Sequence, residues 1–151
     1  MPEPEILPVY TIGFTKKNAA QFFEKLRGSG VKRVVDVRLN NSSQLAGFSK
    51  RDDLKYFLDK ILGIEYVAEP LLAPTQPLLD AYKKNGGDWA VYERAFLDLM
   101  AERKIEHKID PATIVGGCLL CSEDKPHQCH RRLVAEYLNQ RWGNLQINHI
   151  V

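Results

Sequence analysis

The feature that most constrains the fold is an almost uninterrupted apolar run at residues 113–121. Such a run, without alternating polar residues, is typical of a strand that is buried on both faces of a parallel sheet. A strand of that kind needs helices packed above and below it, and the rest of the chain must supply them. The run therefore predicts the central strand of a three-layer α/β domain.

Short apolar segments and amphipathic helical segments alternate along the whole chain. This alternation predicts a single three-layer α/β domain with a mostly parallel sheet of about five strands and helices on both faces, a Rossmann-like arrangement. The common doubly wound topology suggests the strand order 3-2-1-4-5. The predicted strands are residues 9–12, 33–37, 64–67, 113–121 and 145–151.

Two helix starts carry a capping signature, in which a short polar residue is followed three positions later by a residue that can bond back to the cap. Asn18 with Gln21 is one such pair, and Ser49 with Asp52 is the other. Each is followed by an apolar stripe at helical spacing. We therefore expect a helix to begin after Asn18 and another after Ser49.

The second half of the chain predicts two longer helices and one irregular segment. A helix is expected at about residues 89–103, and another running to about Trp142, with Asp124 as its cap and Pro126 in its first turn. The proline-containing segment 68–84 is expected to be irregular. It would form either a lid over the sheet or simple packing over the sheet edge.

Length and composition favour one domain of modest charge. The chain has 151 residues, and 21 Lys and Arg against 19 Asp and Glu give a net charge of +2, far from the strongly basic composition of many nucleic-acid binders. Residues 1–8 have no basic residue and are expected to be a tail before a domain at 9–151. Without an export signal or a long apolar run, we expect a cytoplasmic protein with free thiols and no membrane contact.

Chemistry-bearing residues follow three of the predicted strands. In open α/β sheets, ligands bind outside the carboxyl ends of the strands. Gly13 and Thr15 follow the first strand, Asp36 and Arg38 follow the second, and the stretch 121–132 follows the central one. All but one position of that stretch carries a polar or ionisable side chain. These strand ends are the predicted functional site.

The same residues carry a resemblance to a known family. The chain resembles the DUF488 family in Tyr10-Thr11-Ile12-Gly13, Asp36-Val37-Arg38, Cys121-x-Glu123, Cys129-His130-Arg131-Arg132 and His149-Ile150. The resemblance runs from about residue 9 to the C-terminus, and its cysteine-containing block is the most specific part. It implies an α/β domain of no settled biochemical function, so it points to a site and not to a reaction. Family members commonly have His where this chain has Phe14.

The cysteines allow several interpretations. Cys118 and Cys121 lie three residues apart on one predicted strand, so they should point to opposite faces, with Cys118 a core residue. Cys121 and Cys129 should lie near each other, but we expect no disulfide in the cytoplasm. The types of Cys121, Cys129 and His130 suit Zn²⁺, yet their spacing is not a standard zinc signature and neighbouring helical residues diverge. We therefore expect no metal and no cofactor.

The first functional hypothesis is a pocket for a small anion, such as a phosphate compound, with or without catalysis. Cys129 would be either the nucleophile, activated by a helix N-terminus, or a thiol that faces the anion, and Glu123 and His130 would be the acid–base groups. Arg38 and Arg131 would hold the anion. The full set of expected ligand-binding residues is Gly13, Thr15, Asp36, Arg38, Cys121 and Arg131.

Simpler interpretations accompany that hypothesis. Asp36 and Arg38 could form a structural ion pair with each other, and Arg131 and Arg132, as successive helical residues, cannot both face one ligand. The alternative function is a non-catalytic nucleic-acid- or protein-binding module, for which steep salt dependence of oligonucleotide binding would be diagnostic. Neither the substrate nor the oligomeric state follows from the sequence.

Overall fold

A computed structural model of the protein describes residues 7–39, 50–84, 86–121 and 129–151. Within these ranges the chain forms one five-stranded sheet in which every neighbouring pair is parallel. The strands are β1 (Leu7–Gly13), β2 (Arg33–Asp36), β3 (Glu65–Ala68), β4 (Gly117–Cys121) and β5 (Leu145–Ile150). The predicted parallel sheet is confirmed.

The strand order is β3-β2-β4-β1-β5, so the predicted order 3-2-1-4-5 is wrong in the positions of β1 and β4. The two strands are neighbours, as expected, but β4 takes the centre. The physical reason is burial, because all five residues of β4 are buried. The central position, with a strand on each side and helices on both faces, is where such a strand exposes least apolar surface.

In the described part of the chain, seven α-helices connect and cover the strands. They are α1 (Ala19–Ser29), α2 (Arg51–Phe57, continued by a π turn at Leu58–Leu62), α3 (Gln76–Lys84), α4 (Trp89–Arg103), α5 (Ile105–Lys108), α6 (Pro111–Ile114) and α7 (His130–Trp142). A short 3₁₀ turn at Pro70–Leu72 lies between β3 and α3. None of the helices in the described ranges is long and apolar enough to span a membrane.

The buried apolar residues that the structure describes form two cores on opposite faces of the sheet. On the face that we call the α1 face, Phe22 and Leu26 of α1 pack with Leu54 of α2 and Cys118 of β4. On the other face, the α7 face, the helices α4 and α7 pack against Val35, Leu119 and Cys121, among others. Cys118 and Cys121 therefore point to opposite faces, as the sequence predicts, and Cys118 is fully buried.

Local signals in the sequence give mixed outcomes. The Asn18 capping box is confirmed, because the Asn18 side chain accepts from the Gln21 N–H at 2.8 Å and the Gln21 side chain accepts from the Asn18 N–H at 3.0 Å. The second helix begins at Arg51 with Lys50 as its N-cap, which corrects the expected cap at Ser49. Ser49 itself lies outside the described residues.

Two segments differ from their predicted structures. The expected central strand at 113–121 is shorter, since Pro111–Ile114 form helix α6 and the chain turns at Gly116 with a φ of 76°. An added Cβ at Gly116 would combine this left-handed backbone with a close contact to Lys32. The expected irregular segment 68–84 contains the regular helix α3 over more than half its length, because the last of its prolines, Pro77, lies in the first helical turn, where a proline is tolerated.

Candidate functional site

The last residues of three neighbouring strands form the carboxyl edge at which the sequence places the site. Gly13 of β1 pairs with Cys121 of β4, and Asp36 of β2 pairs with Leu120. The residues that follow β1, β2 and β4 are thus brought to one edge of the sheet. Gly13 is buried in the strand, whereas Thr15 is exposed in the following turn.

Asp36 and Arg38 form a buried ion pair at the end of β2. Arg38 donates from Nε to Asp36 Oδ1 and from Nη2 to Oδ2, both at 2.8 Å, and its backbone N–H donates to Oδ1 at 3.1 Å. The side chains are only 4% and 0% exposed, so water screens the pair little. The interpretation of a structural ion pair is confirmed.

Tyr66 of β3 completes this group, which we call the Asp36 cluster (Asp36, Arg38 and Tyr66). Its hydroxyl donates a short hydrogen bond to Asp36 Oδ2. Burial first, and then the bond to Asp36, raise the pKa of Tyr66 well above its usual range, so the phenol keeps its proton. The guanidinium of Arg38 lies 5.5 Å from the ring centre of Phe14, on the α1 face. The two side-chain hydrogen bonds to Asp36 and the contact with the Phe14 ring therefore fix the orientation of the Arg38 guanidinium.

A cleft of about 370 Å³ opens beside the Asp36 cluster, at the carboxyl ends of β2 and β3. Its polar lining comes from Asp36, Arg38, Glu69, Thr75, Gln76 and Arg103. Arg103 also braces the wall, because its Nη1 donates to the carbonyl oxygens of Leu71 and Ala73, each at 2.7 Å. Burial lowers the pKa of Arg103 from its usual value.

On the α7 face, Cys121 and Cys129 are joined by a disulfide. The expectation that no disulfide forms is therefore wrong for this structure, while the expected proximity of the two residues is confirmed. The reason is topological. Cys121 ends β4, and Cys129 immediately precedes α7. Because α7 packs against β4, it brings together these two cysteines, which are eight residues apart in the sequence. Both cysteines are almost fully buried.

Helix α7 begins later than the sequence predicts. Cys129 is its N-cap, with an extended backbone (φ −139°, ψ 140°), and His130 is the first helical residue. The prediction that Asp124 caps this helix is therefore wrong. Asp124 and Pro126 themselves lie outside the described residues. Because Cys129 is not helical, its side chain and that of His130 do not diverge as successive helical residues would. Both turn toward Cys121.

His130 is held by the chain that follows β2. Its Nε2 lies 2.7 Å from the carbonyl oxygen of Val37, and because a carbonyl only accepts, Nε2 carries the proton. The ring also packs 5.5 Å from that of Phe96. Burial lowers the pKa of His130 to about 4, with the Val37 bond opposing the shift and the nearby Arg131 adding to it. The imidazole is therefore neutral at pH 7.

Arg131 and Arg132 take different environments, as the sequence predicts. Arg131 is completely buried, and its Nη1 donates to the sulfur of Cys121 at 3.7 Å. Arg132 faces outward, where it pairs with Glu136 at 3.4 Å and with Glu93 at 3.8 Å. We call Cys121, Cys129, His130 and Arg131 the thiol cluster.

The predicted site residues thus separate into two groups on opposite faces of the sheet. Arg38 packs over Phe14 of the α1 face, whereas Cys121 and Cys129 belong to the core of the α7 face. Val37 links the two groups, because its carbonyl oxygen accepts the hydrogen bond from His130 Nε2. Arg38 and Arg131, expected to hold one anion together, therefore take different partners. Glu123, the expected acid, lies outside the described residues.

Two features of the carboxyl half of the sheet escaped the sequence analysis. Thr11 and His149, paired across β1 and β5, are hydrogen-bonded at 2.6 Å. Burial and the charges of Arg131 and Arg132 lower the pKa of His149. Both residues occur in the motifs that carry the family resemblance, so a signal was present for them. Nothing in the short third strand marked Tyr66 as a partner of Asp36.

The fold and the site define a three-layer α/β domain with two polar clusters at the carboxyl edge of its sheet. The chain belongs to the DUF488 family, whose model, described as a domain of unknown function, matches residues 18–138. The match covers both clusters. No curated protein and no solved structure shows a significant match to the chain.

Proposed function

We propose that this domain binds a small anionic compound, such as a phosphate monoester that also carries hydroxyl groups, in the cleft at the carboxyl ends of β2 and β3. The observation that carries the proposal is the fixed guanidinium of Arg38 in the wall of that cleft. Asp36 accepts hydrogen bonds from Nε and Nη2 of Arg38, and the two N–H groups of Arg38 Nη1 take no part in that ion pair. They are the donors that would contact the anion.

The arrangement favours directed hydrogen bonds over a general positive field. Asp36 neutralises Arg38 within the pair, and the net charge of the chain is only +2. A polyanion such as nucleic acid depends on many phosphate contacts and is bound through long-range charge, whereas one oriented guanidinium suits one small anion. The proposal therefore prefers the small ligand to the alternative of a nucleic-acid-binding module.

The other polar groups of the cleft determine which compound fits. The start of α3 at Gln76 adds at most roughly 0.3–1 kcal/mol toward an anion through the helix dipole, because Pro77 has no N–H and the Leu78 N–H already donates to Thr75 Oγ1 at 3.3 Å. A charged hydrogen bond from Arg38 adds on the order of 1.5–3 kcal/mol. The carboxylate of Glu69 repels a second negative charge but accepts from a hydroxyl group. These terms favour a ligand with one anionic group and nearby hydroxyl groups.

Catalysis by the thiol cluster is a separate proposal. Cys129 would be a nucleophile only after reduction, because its sulfur is bonded to that of Cys121 in the structure. A neutral His130 whose Nε2 is protonated could accept a proton only at Nδ1. The roles of Glu123 and His130 as acid–base groups stay predictions. Anion binding in the cleft requires neither of them.

The test is an NMR titration with inorganic phosphate and then with glycerol phosphate. We expect saturable amide shifts at the cleft, with glycerol phosphate bound more tightly. Arg38→Lys keeps the charge but loses the two-point contact with Asp36, and should weaken binding about tenfold. Arg27→Lys, at an exposed arginine in α1, is the matched control and should have no effect.

Three outcomes would overturn the proposal. One is phosphate binding that is equal in the Arg38→Lys variant and the wild type. Another is a set of shifts confined to the start of α7, which would assign the anion to Arg131 instead. The third is the absence of phosphate binding together with tight, steeply salt-dependent binding of a single-stranded oligonucleotide. That result would favour the nucleic-acid-binding alternative.

A further inference from the structure

We infer that the reduced thiol cluster is a binding site for a thiophilic divalent cation such as Zn²⁺, with Cys121, Cys129 and His130 as its three protein ligands. The two sulfurs and a ring nitrogen of His130 all lie within 4.8 Å of one another. This inference departs from the expectation, drawn from spacing alone, that the chain holds no metal. It is also independent of the anion site in the cleft.

The conformation of the chain at Cys129 removes the objection that adjacent residues cannot share an ion. Cys129 is extended and His130 opens the helix, so their side chains converge where two helical neighbours would diverge. Cys121 approaches from the end of β4. The three ligands therefore come from a strand end, an N-cap and a first helical turn, all held by the packing of α7 on β4.

His130 has the hydrogen bond that orients a metal-binding imidazole. Its Nε2–H donates to the carbonyl oxygen of Val37, which leaves the lone pair on Nδ1 available to a cation. Metal-ligating histidines usually donate their second ring N–H to a carbonyl or carboxylate in this way, and that contact fixes both the tautomer and the ring orientation. The ring contact with Phe96 further restricts rotation of the imidazole.

Charge and donor type also favour the cation. Two thiolates and a neutral imidazole neutralise a divalent ion, and a sulfur-rich ligand set selects Zn²⁺ over Mg²⁺ or Ca²⁺. Arg131 donates to Cys121 Sγ from outside the ligand set, as outer contacts to metal-bound thiolates do. Three protein ligands leave the fourth tetrahedral position for water or another small ligand, the pattern of sites with an open position.

The disulfide and the metal site exclude each other, and the chemistry between them balances. Reduction takes two electrons and two protons and yields two thiols, while a phosphine that supplies the electrons becomes a phosphine oxide with oxygen from water. Binding of the divalent ion then releases the two thiol protons to solvent. The metal is thus bound only by the reduced protein.

The test uses Co²⁺ as a spectroscopic probe of the full chain, reduced with a phosphine without oxygen. We expect one Co²⁺ per chain, with a thiolate-to-cobalt charge-transfer band and the visible bands of tetrahedral cobalt, and displacement by Zn²⁺. Cys118→Ala is the matched control, because this third cysteine lies on the opposite face of the sheet. It should bind Co²⁺ as the wild type does.

Loss of a ligand should weaken binding much more than loss of an outer contact. Cys129→Ser and Cys121→Ser should each lower Co²⁺ affinity by more than about 100-fold, while His130→Gln should weaken binding and shift the visible bands. Circular dichroism establishes that each variant folds. Comparison of the oxidised and reduced wild type needs no substitution, and only the reduced protein should bind.

The outcomes separate the two proposals. Co²⁺ binding that lacks the charge-transfer band, is equal in Cys129→Ser or is equal in the oxidised protein would overturn the metal site. Reversible opening of the disulfide without any metal binding would also overturn it and leave a redox pair alone. Arg38→Lys should bind Co²⁺ normally and Cys129→Ser should bind phosphate normally, so failure of one site leaves the other intact.

Discussion

The Asp36 cluster and the thiol cluster end neighbouring strands of one sheet, yet they compensate their charges in different ways. In the Asp36 cluster, a carboxylate and a guanidinium form a complete ion pair with a tyrosine hydroxyl bonded to the carboxylate. In the thiol cluster, the guanidinium of Arg131 faces sulfur, whose charge depends on its redox state and on any bound cation.

This difference shows which cluster can change state. The Asp36 cluster has one arrangement, because separating its charges would leave each of them buried without a partner. The thiol cluster has three chemically distinct forms, as a disulfide, as two thiols and, by our inference, as a metal complex. We therefore expect the Asp36 cluster to provide a fixed part of the binding wall, and the thiol cluster to change with the redox state and with metal binding.

The largest expected effect comes from removing one partner of the fixed pair. Asp36→Ala leaves the buried Arg38 without its carboxylate and should lower the free energy of unfolding by roughly 3–5 kcal/mol. Urea denaturation measures the loss. Replacing both partners, as in Asp36→Leu with Arg38→Met, should cost less, because no buried charge is left uncompensated.

A matched control for that prediction is Asp52→Ala. Asp52 pairs with Arg51 on the surface, where its side chain is 86% exposed, and its removal should cost less than about 1 kcal/mol. If Asp36→Ala and Asp52→Ala lower the free energy of unfolding equally, the buried ion pair stabilises the fold no more than the exposed one.

The second prediction concerns the changeable cluster. Reduction of the Cys121–Cys129 disulfide, in the presence of a chelator, should lower the free energy of unfolding by about 2.5 kcal/mol, the chain-entropy estimate for a loop of this length. Urea denaturation with and without a phosphine measures this change. Added Zn²⁺ should restore stability to the reduced protein.

The double variant Cys121→Ser with Cys129→Ser serves as the control for reduction. It should lose a similar amount of stability and should no longer respond to the phosphine or to Zn²⁺. Equal stability of the oxidised and reduced wild-type protein would contradict the contrast between a fixed and a changeable cluster.

A smaller effect is expected at the edge of the Asp36 cluster. Tyr66→Phe removes one hydrogen bond to the charged Asp36 and should cost about 1–2 kcal/mol, while the ion pair itself remains. Thermal and urea unfolding both measure it. Tyr56→Phe, at a tyrosine that is 59% exposed, is the control and should be neutral. If Tyr66→Phe leaves the free energy of unfolding unchanged, the hydrogen bond from Tyr66 to Asp36 does not stabilise the fold, and Arg38 alone stabilises the buried Asp36 carboxylate.

The smallest expected effect is a pH dependence on the α7 face. Burial and the charges of Arg131 and Arg132 lower the pKa of His149, which is bonded to Thr11, so the folded protein takes up this proton less readily than the unfolded chain. The stability linked to His149 is therefore present above the unfolded pKa of about 6.5 and is lost as pH falls below it.

His149→Gln tests this linkage by difference. Urea denaturation of wild type and variant between about pH 7 and pH 5 should show a smaller loss of stability in the variant, because the other titrating groups are common to both proteins. If the free energy of unfolding depends on pH in the same way in both proteins, His149 does not contribute to the pH dependence of stability.

Local patterns in the sequence were enough for the elements whose causes are local. The capping box of Asn18 and Gln21 involves neighbours in the chain, and the buried character of β4 follows from its own apolar run. The opposite directions of Cys118 and Cys121 follow from the two-residue period of a strand. The different environments of Arg131 and Arg132 follow from the period of a helix.

What required the tertiary structure was every relation that depends on distant parts of the chain. The strand order was open because the long connection from β3 to β4 can reach either of two positions, and only burial of β4 between two strands decides. The approach of Cys129 and His130 to Cys121 depends on where α7 begins and how it packs on β4.

The α/β class, the parallel sheet and the edge at which polar residues gather could all be predicted from the sequence, because hydrophobic period and strand ends are properties of short segments. Only the tertiary structure divided those residues between two faces, with Tyr66 bonded to Asp36 on one, and on the other a disulfide between Cys121 and Cys129, which the sequence placed near each other without a bond. The physical reason is that a strand's period assigns side chains to opposite faces, whereas the residues that meet them there belong to other elements, whose packing no single segment determines.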